Sequence, residues 1–283
     1  MAELSAQRSL SLLAAAQTAW AQRSQTALRP PGYVAALSDN LFLRHLHSDT
    51  ETEFREGDGS ELMDVGRRPA KMRALLSSSA LAVNFFDAWR DTSKNGLAEA
   101  LGLPEPITRL RFEYKCLRYP VGPRSPNLDL VLTLADGRRV GVESKFAEPY
   151  RRPGGDALLS PKYFDSPTGL WTHAGLSRAQ ELANELRARW EFLDSAQLLK
   201  HLLGLASETG RADTILLYLW FDAATEESAR HRDEATRFAD SVAGDRVAFQ
   251  AVSYQDLFRR LQQRSVEPQA GLSEYLLGRY FAA

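Results

Sequence analysis

The stretch whose reading decides the fold runs from Pro126 to Lys145: PNLDLVLTLADGRRVGVESK. Two alternating apolar runs flank Ala135-Asp136-Gly137. Asp-Gly between such runs is a strong hairpin signal. A three-residue loop puts Gly137 at the left-handed position of a turn plus bulge, and Leu134 then pairs with Arg138. Counting outward, Asp129 falls opposite Glu143. Opposed residues share a face, and side chains alternate along a strand. One face therefore carries Asp129, Glu143 and Lys145. The other carries Leu130, Leu132, Leu134, Val140 and Val142. A two-residue loop would shift this register and part Asp129 from the pair.

Two opposed carboxylates repel and are costly to bury, and a divalent cation reverses that cost. Oxygen-only ligands select a hard ion. Few protein ligands leave room for water and phosphate, which suits Mg²⁺ (or Mn²⁺). The backbone carbonyl of Ser144 offers a further ligand. Such an ion polarises a phosphate and acidifies a bound water. Lys145 is then placed to orient that water or to neutralise charge on the phosphorane. Taken alone, a Glu-x-Lys triplet is equally an ion pair on the solvated face of an unrelated α/β protein. The preceding Asp129, the hairpin spacing and the apolar opposite face favour the site.

The rest of the chain frames this hairpin. Leu4 to Leu28 has helical periodicity and stops at Arg29-Pro30-Pro31-Gly32. Asn40 to His47 reads as a short helix. Asp39 to Asp64 holds eight acids (Asp39, Asp49, Glu51, Glu53, Glu56, Asp58, Glu61 and Asp64) against Arg44 and Arg55, with a solvated loop at Glu56 to Ser60. A helix is expected over Ser79–Trp89, with serines for its cap, and a short one over Gly96–Leu101. Arg109 to Leu117 alternates as a strand, setting Leu110, Phe112, Tyr114 and Cys116 against charged residues. After a Pro/Gly loop, helices are expected at Ser177–Trp190, Ser195–Leu205, Glu226–Val242, Asp256–Gln263 and Leu272–Tyr280. Strands are expected at Thr214–Phe221 and Arg246–Val252. The class is α/β, a mixed central β-sheet flanked by helices, with an N-terminal helical extension. Residues 1–76 form that extension and 77–283 the main domain, or the two form one continuous domain.

Bulk composition sets limits. The chain has 283 residues, 44% of them hydrophobic, enough for a sizeable core. Its net charge of −1 excludes a polycation, so nucleic-acid binding needs a local basic surface. Cys116 is the single cysteine, which rules out an internal disulfide and favours a reducing compartment. It reads as a small buried residue. No apolar run spans a membrane and no signal peptide is legible, so a cytoplasmic location is expected.

Pro126-x-x-Asp129 followed by Glu143-Ser144-Lys145 resembles the PD-(D/E)XK motif of restriction-endonuclease-like nucleases, with two residues between proline and aspartate. Further pieces extend the resemblance: Ser77 to Phe85, Arg111 to Lys115, Val142 to Tyr150 and Gln197 to His201. Together they resemble an uncharacterised bacterial family labelled as candidate restriction endonucleases within that superfamily. The likeness covers about Ser77 to His201 and implies a restriction-endonuclease-like core, metal use and phosphodiester cleavage. It makes Asp129 and Glu143 metal ligands, Lys145 the catalytic lysine, and Glu113 the upstream acid that completes the site. Glu113 reads equally well as a strand-surface carboxylate paired with Lys115 or Arg111. Gln197 and His201, one helical turn apart, resemble the Gln-x-x-x-Tyr helix of RecB-like nucleases, with His replacing Tyr. They read equally as an ordinary helix surface.

For nucleic acid, expected to be DNA, the contacts read from this stretch are Gln197, Lys200, His201, Arg151 and Arg152. Arg118, Arg124, Arg138 and Arg139 are also available to track phosphates. No helix-turn-helix or zinc-finger pattern supplies sequence specificity. The acidic run from Asp39 is expected to cover the cleft or meet a partner, and a homodimer is left open. Asn84 reads as a satisfied buried amide, while Glu148 and Tyr150 either support the site or end the strand. The expected activity is metal-dependent hydrolysis of phosphodiester bonds, in restriction or defence. The competing expectation is a catalytically silent nucleic-acid-binding protein on the same fold.

Overall fold

The computed structural model describes residues 8–57, 59–117, 119–122, 125–151, 159–164, 169–185, 190–208 and 214–282. Two short strands, β1 (Leu28–Arg29) and β2 (Tyr33–Val34), form a small ribbon. The main sheet runs in the order β3 (Ile107–Lys115), β4 (Asn127–Leu134), β5 (Arg139–Lys145), β6 (Thr214–Trp220) and β7 (Val247–Ser253). β3, β4 and β5 pair antiparallel, while β6 and β7 continue the sheet in parallel. The expected mixed α/β sheet with helices on both faces is therefore present.

One sheet face meets α3 (Ser78–Phe86), α4 (Asn95–Leu101), α9 (Tyr254–Gln263) and α10 (Leu272–Leu276). The other meets α5 (Leu170–His173), α6 (Ser177–Asn184), α7 (Ser195–Glu208) and α8 (Glu226–Ser241). Alternation along β6 divides the residues between them. Ile215, Leu217 and Leu219 join the first core, and Leu216, Tyr218 and Trp220 the second. Every residue of β6 is buried, as a central strand covered on both faces requires. Leu13 of α1 (Arg8–Arg23), Phe54 of α2 (Ser48–Glu56) and Met72 pack into the first core as well.

Local signals explain the boundaries. The Ser77 hydroxyl caps α3 by accepting the Ala80 N–H at 3.1 Å. Gly102, at φ +71°, ends α4 in the left-handed position. Asn84 is the satisfied amide expected of it, bonding the Phe42 N–H, the Asn40 carbonyl and the Tyr280 hydroxyl. Buried Cys116 has its thiol pushed up to about 12, chiefly by burial.

The chain departs from expectation in the N-terminal third. The helix expected over Asn40–His47 is absent. A 3₁₀ turn at Leu37–Asn40 gives way to extended Leu41, because the Asn40 amide bonds the Met72 and Ala74 carbonyls instead. The acidic run instead contains α2. Its Glu53 is buried against Arg90 and accepts the Phe112 N–H at 2.8 Å. The pairing with β3 through Glu53 is a tertiary event that a count of acids does not reveal.

A second departure shapes the site. Leu110 and Phe112 enter the first core, but Tyr114 and Cys116 pack on the second. Strict alternation would keep all four on one face. The switch occurs at Glu113, which holds φ +48°, a left-handed conformation unusual for a side-chain-bearing residue. β4 follows it: Leu130 joins the first core and Leu128 the second.

Candidate active site

The hairpin that presents the site has the expected register. The Gly137 N–H donates to the Leu134 carbonyl, and the Leu134 N–H to the Arg138 carbonyl, both at 2.9 Å. Gly137 sits at φ +82°. Thr133 pairs with Arg139 and Leu130 with Val142, so the next step of the ladder sets Asp129 against Glu143. There the strands part, and Asp129 Oδ2 accepts the Ser144 N–H at 2.7 Å. Leu130, Leu132, Leu134, Val140 and Val142 lie in the first core, so Glu143 and Lys145, at the alternate positions of β5, turn toward α7, and Asp129 is held beside them by the Ser144 N–H.

α7 can approach this face closely because two glycines face the contact. A Cβ on Gly141 would lie 2.9 Å from both Leu128 and Leu205, and one on Gly204 would lie 2.9 Å from Cys116 Sγ. The approach carries His201 into the interior. Its Nε2 stands 3.0 Å from Glu143 Oε2, while Lys145 Nζ stands 2.6 Å from Oε1. Glu143 and His201 are 1% and 2% exposed. The histidine approach is close but poorly aligned. Neither ring nitrogen of His201 nor Oε2 of Glu143 has an aligned hydrogen-bond partner among the described residues.

The electrostatics divide the two carboxyls. Burial and the Glu143 charge raise Asp129 well above the usual carboxylate range. Burial works the same way on Glu143, but Lys145 and His201 outweigh it and hold Glu143 down at about 2. For Lys145, burial is outweighed by Glu143 and Asp129, which keep it protonated above the usual lysine range. Environments that push neighbouring titratable groups apart are typical of acid–base and metal sites. Glu113 stands near enough to add to the upward push on Asp129. Its carboxylate packs over Gly57, where a Cβ would come within 2.9 Å of Oε2.

Lys145 lies in the wall of a cleft of about 280 Å³ shared with Glu148, Pro149, Arg151, Phe192, Asp194, Gln197 and Tyr218. Gln197 and Arg151 thus line the cleft, and Lys200 lies half-buried on the same helix. His201 is turned inward to Glu143. Arg152, Arg118 and Arg124 lie outside the described residues. Arg138 and Arg139 are engaged at home, with Asp136 and with Glu208 and Tyr114. Arg151 and Lys200 form no ion pair among the described residues. Glu148 accepts the Phe146 N–H at 2.8 Å and so ends β5 beside the site, and Tyr150 donates to the Phe221 carbonyl at 2.7 Å.

Other groups could not be anticipated from spacing. The Tyr254 hydroxyl bonds Ser144 Oγ at 2.7 Å from the opposite sheet face, and Tyr218 bonds His231 Nε2 at 2.9 Å behind the cleft. The first joins residues 110 apart in sequence, the second joins β6 to α8, and neither carries a local motif.

Among the described residues, no three His, Cys, Asp or Glu side chains converge on a metal position by themselves. Two carboxylates, Asp129 and Glu143, lie near enough to repel, and one buried oxygen, Glu143 Oε2, lacks a hydrogen-bond partner among the described residues. That set suits an ion completed by a main-chain carbonyl and water. No helix of the described residues is long and apolar enough to cross a membrane.

No curated protein and no solved structure matches the chain. A family model does, over residues 14–281, nearly the whole sequence. The chain belongs to the family described as restriction endonuclease associating with ARP.

Proposed function

We propose that the protein is a metal-dependent nuclease of the PD-(D/E)XK class that hydrolyses phosphodiester bonds in DNA, in restriction or defence. One observation carries this reading: the buried carboxylate of Glu143, paired with Lys145, has Asp129 beside it, and the lysine opens into a cleft with Arg151 and Gln197. Family membership supports it. Asp129 and Glu143 would hold Mg²⁺ or Mn²⁺ with the Ser144 carbonyl, and Glu113 would complete the set. Bound there, the ion supplies Lewis-acid stabilisation of the phosphoryl oxygens and acidifies a water.

The chain's own groups do the rest. Lys145 reaches the cleft with 15% of its side chain exposed and offers a fixed positive charge where charge develops on phosphorus. His201 stands beside the Glu143 carboxylate on the protein side rather than meeting substrate. Arg151 and Lys200 attract the phosphate backbone, and the Gln197 amide contacts the strand within the cleft.

The test is cleavage of supercoiled plasmid, linear duplex and single-stranded DNA, with Mg²⁺ or Mn²⁺ and with EDTA. Cleavage that needs the metal is expected. Binding without cleavage under every metal condition would instead support a catalytically silent protein.

A further inference from the structure

The cleft contains a feature that metal chemistry does not require. Phe192 lines it together with Lys145, Arg151 and Gln197. The segment carrying this ring is fixed unusually firmly. Buried Glu234 of α8 accepts three consecutive backbone N–H groups, from Glu191, Phe192 and Leu193, at 2.8, 2.9 and 2.9 Å. One helical turn earlier on α8, Arg230 places its guanidinium 5.4 Å from the Phe192 ring centroid. Arg230 is itself held by Glu191 at 2.5 Å. The ring is thus backed by a cation and built on a pinned backbone, yet it remains only half-buried.

A rigid aromatic face with a polar amide and an arginine that forms no ion pair among the described residues is what a nucleobase recognises. Bases stack on aromatic side chains whatever their identity, and the amide and guanidinium engage base edges and phosphate. The cleft, about 280 Å³, is a pocket of the kind that holds an extruded base. Lys145 lies in this cleft, and Glu143 behind it is almost fully buried. A phosphate that reaches Lys145 therefore brings its nucleotide into the cleft.

We propose that Phe192 is a stacking platform for one unpaired base, so that the site takes single-stranded or locally unpaired DNA in preference to intact duplex. This rests on the nuclease reading for the kind of ligand, but binding alone tests it. Fluorescence anisotropy in EDTA or Ca²⁺ would compare a single strand of about 16 nucleotides with a hairpin duplex. The parent should bind the single strand at least about tenfold more tightly. Phe192→Leu keeps the apolar bulk but removes the aromatic face, and should lose about tenfold in single-strand affinity. Phe192→Trp should retain it. A 2-aminopurine in the strand should change its emission with the parent and Phe192→Trp, and not with Phe192→Leu. Equal affinity for duplex, or Phe192→Leu binding the single strand like the parent, would overturn the proposal. Platform binding without cleavage under any metal would leave it standing and sink the nuclease reading instead.

Discussion

Lys145 Nζ lies 2.6 Å from Oε1 of Glu143, two residues earlier on the same face of β5, and the carboxylate it meets is almost fully buried. Such a pair holds Glu143 as an anion without a bound cation. It also places a positive charge at the cleft wall, where a phosphate would arrive.

Lys145→Ala separates these roles. It leaves a buried carboxylate with one cation fewer, and breaking a buried pair costs about 3–5 kcal/mol, with the lower end expected for a partly exposed lysine. Thermal stability in EDTA should fall and recover in Mg²⁺ by more than the parent gains. Cleavage should drop about 10²-fold, the scale for a lost electrostatic stabiliser. DNA affinity should change little. A folded Lys145→Ala that cleaves like the parent would make Lys145 a structural partner only.

Glu113 holds a left-handed φ of +48°. Glu113→Ala and Glu113→Gly both remove the carboxylate, so their difference isolates backbone strain. Glycine ordinarily destabilises a strand relative to alanine. Here Glu113→Gly should be the more stable by about 1 kcal/mol in urea unfolding. Both variants should lose cleavage equally. If alanine is the more stable, the strain is not borne by this residue.

Buried His231 offers a pH test away from the site. Burial lowers it from 6.5 to about 3. Between those values the unfolded chain binds a proton that the native state does not. Stability present above pH 6.5 is therefore lost as pH falls, by up to about 1.4 kcal/mol per unit. From pH 7 to pH 5 the parent should lose about 2 kcal/mol more than His231→Gln, measured by denaturant titration. Parallel losses would show that His231 does not control this window.

Salt dependence should sort the arginines. Arg151→Glu and Lys200→Glu should weaken single-strand binding and flatten the log–log salt slope by about 0.7 per lost contact. Arg139→Glu should act on stability instead, because it breaks the contacts with Glu208 and Tyr114. Unchanged slopes for the first pair would remove them from the DNA path.

The hairpin was legible because its information is local. Asp136-Gly137 sets the turn, the turn sets the register, and the register brings Asp129 to Glu143. The alternating apolar residues then fix which face is which. Glu113 was not legible in the same way, since its left-handed backbone sits where Glu53 of α2 and the following Gly57 pack on β3, a contact made far along the chain. His201 carries no sequence sign of burial either. Its position follows from how closely Gly141 and Gly204 let α7 approach the sheet. The Phe192 platform depends on Glu234, more than forty residues along the chain.

Asp129 and Glu143 are proposed to share one divalent ion. Anomalous diffraction from crystals soaked in Mn²⁺ tests it most directly. One peak is predicted between the two carboxylates, at about 2.1 Å from an oxygen of each, and it should vanish in Glu143→Gln. A Mn²⁺ peak bound elsewhere, or none at this position while the crystals' DNA-cleaving activity persists, would contradict the account.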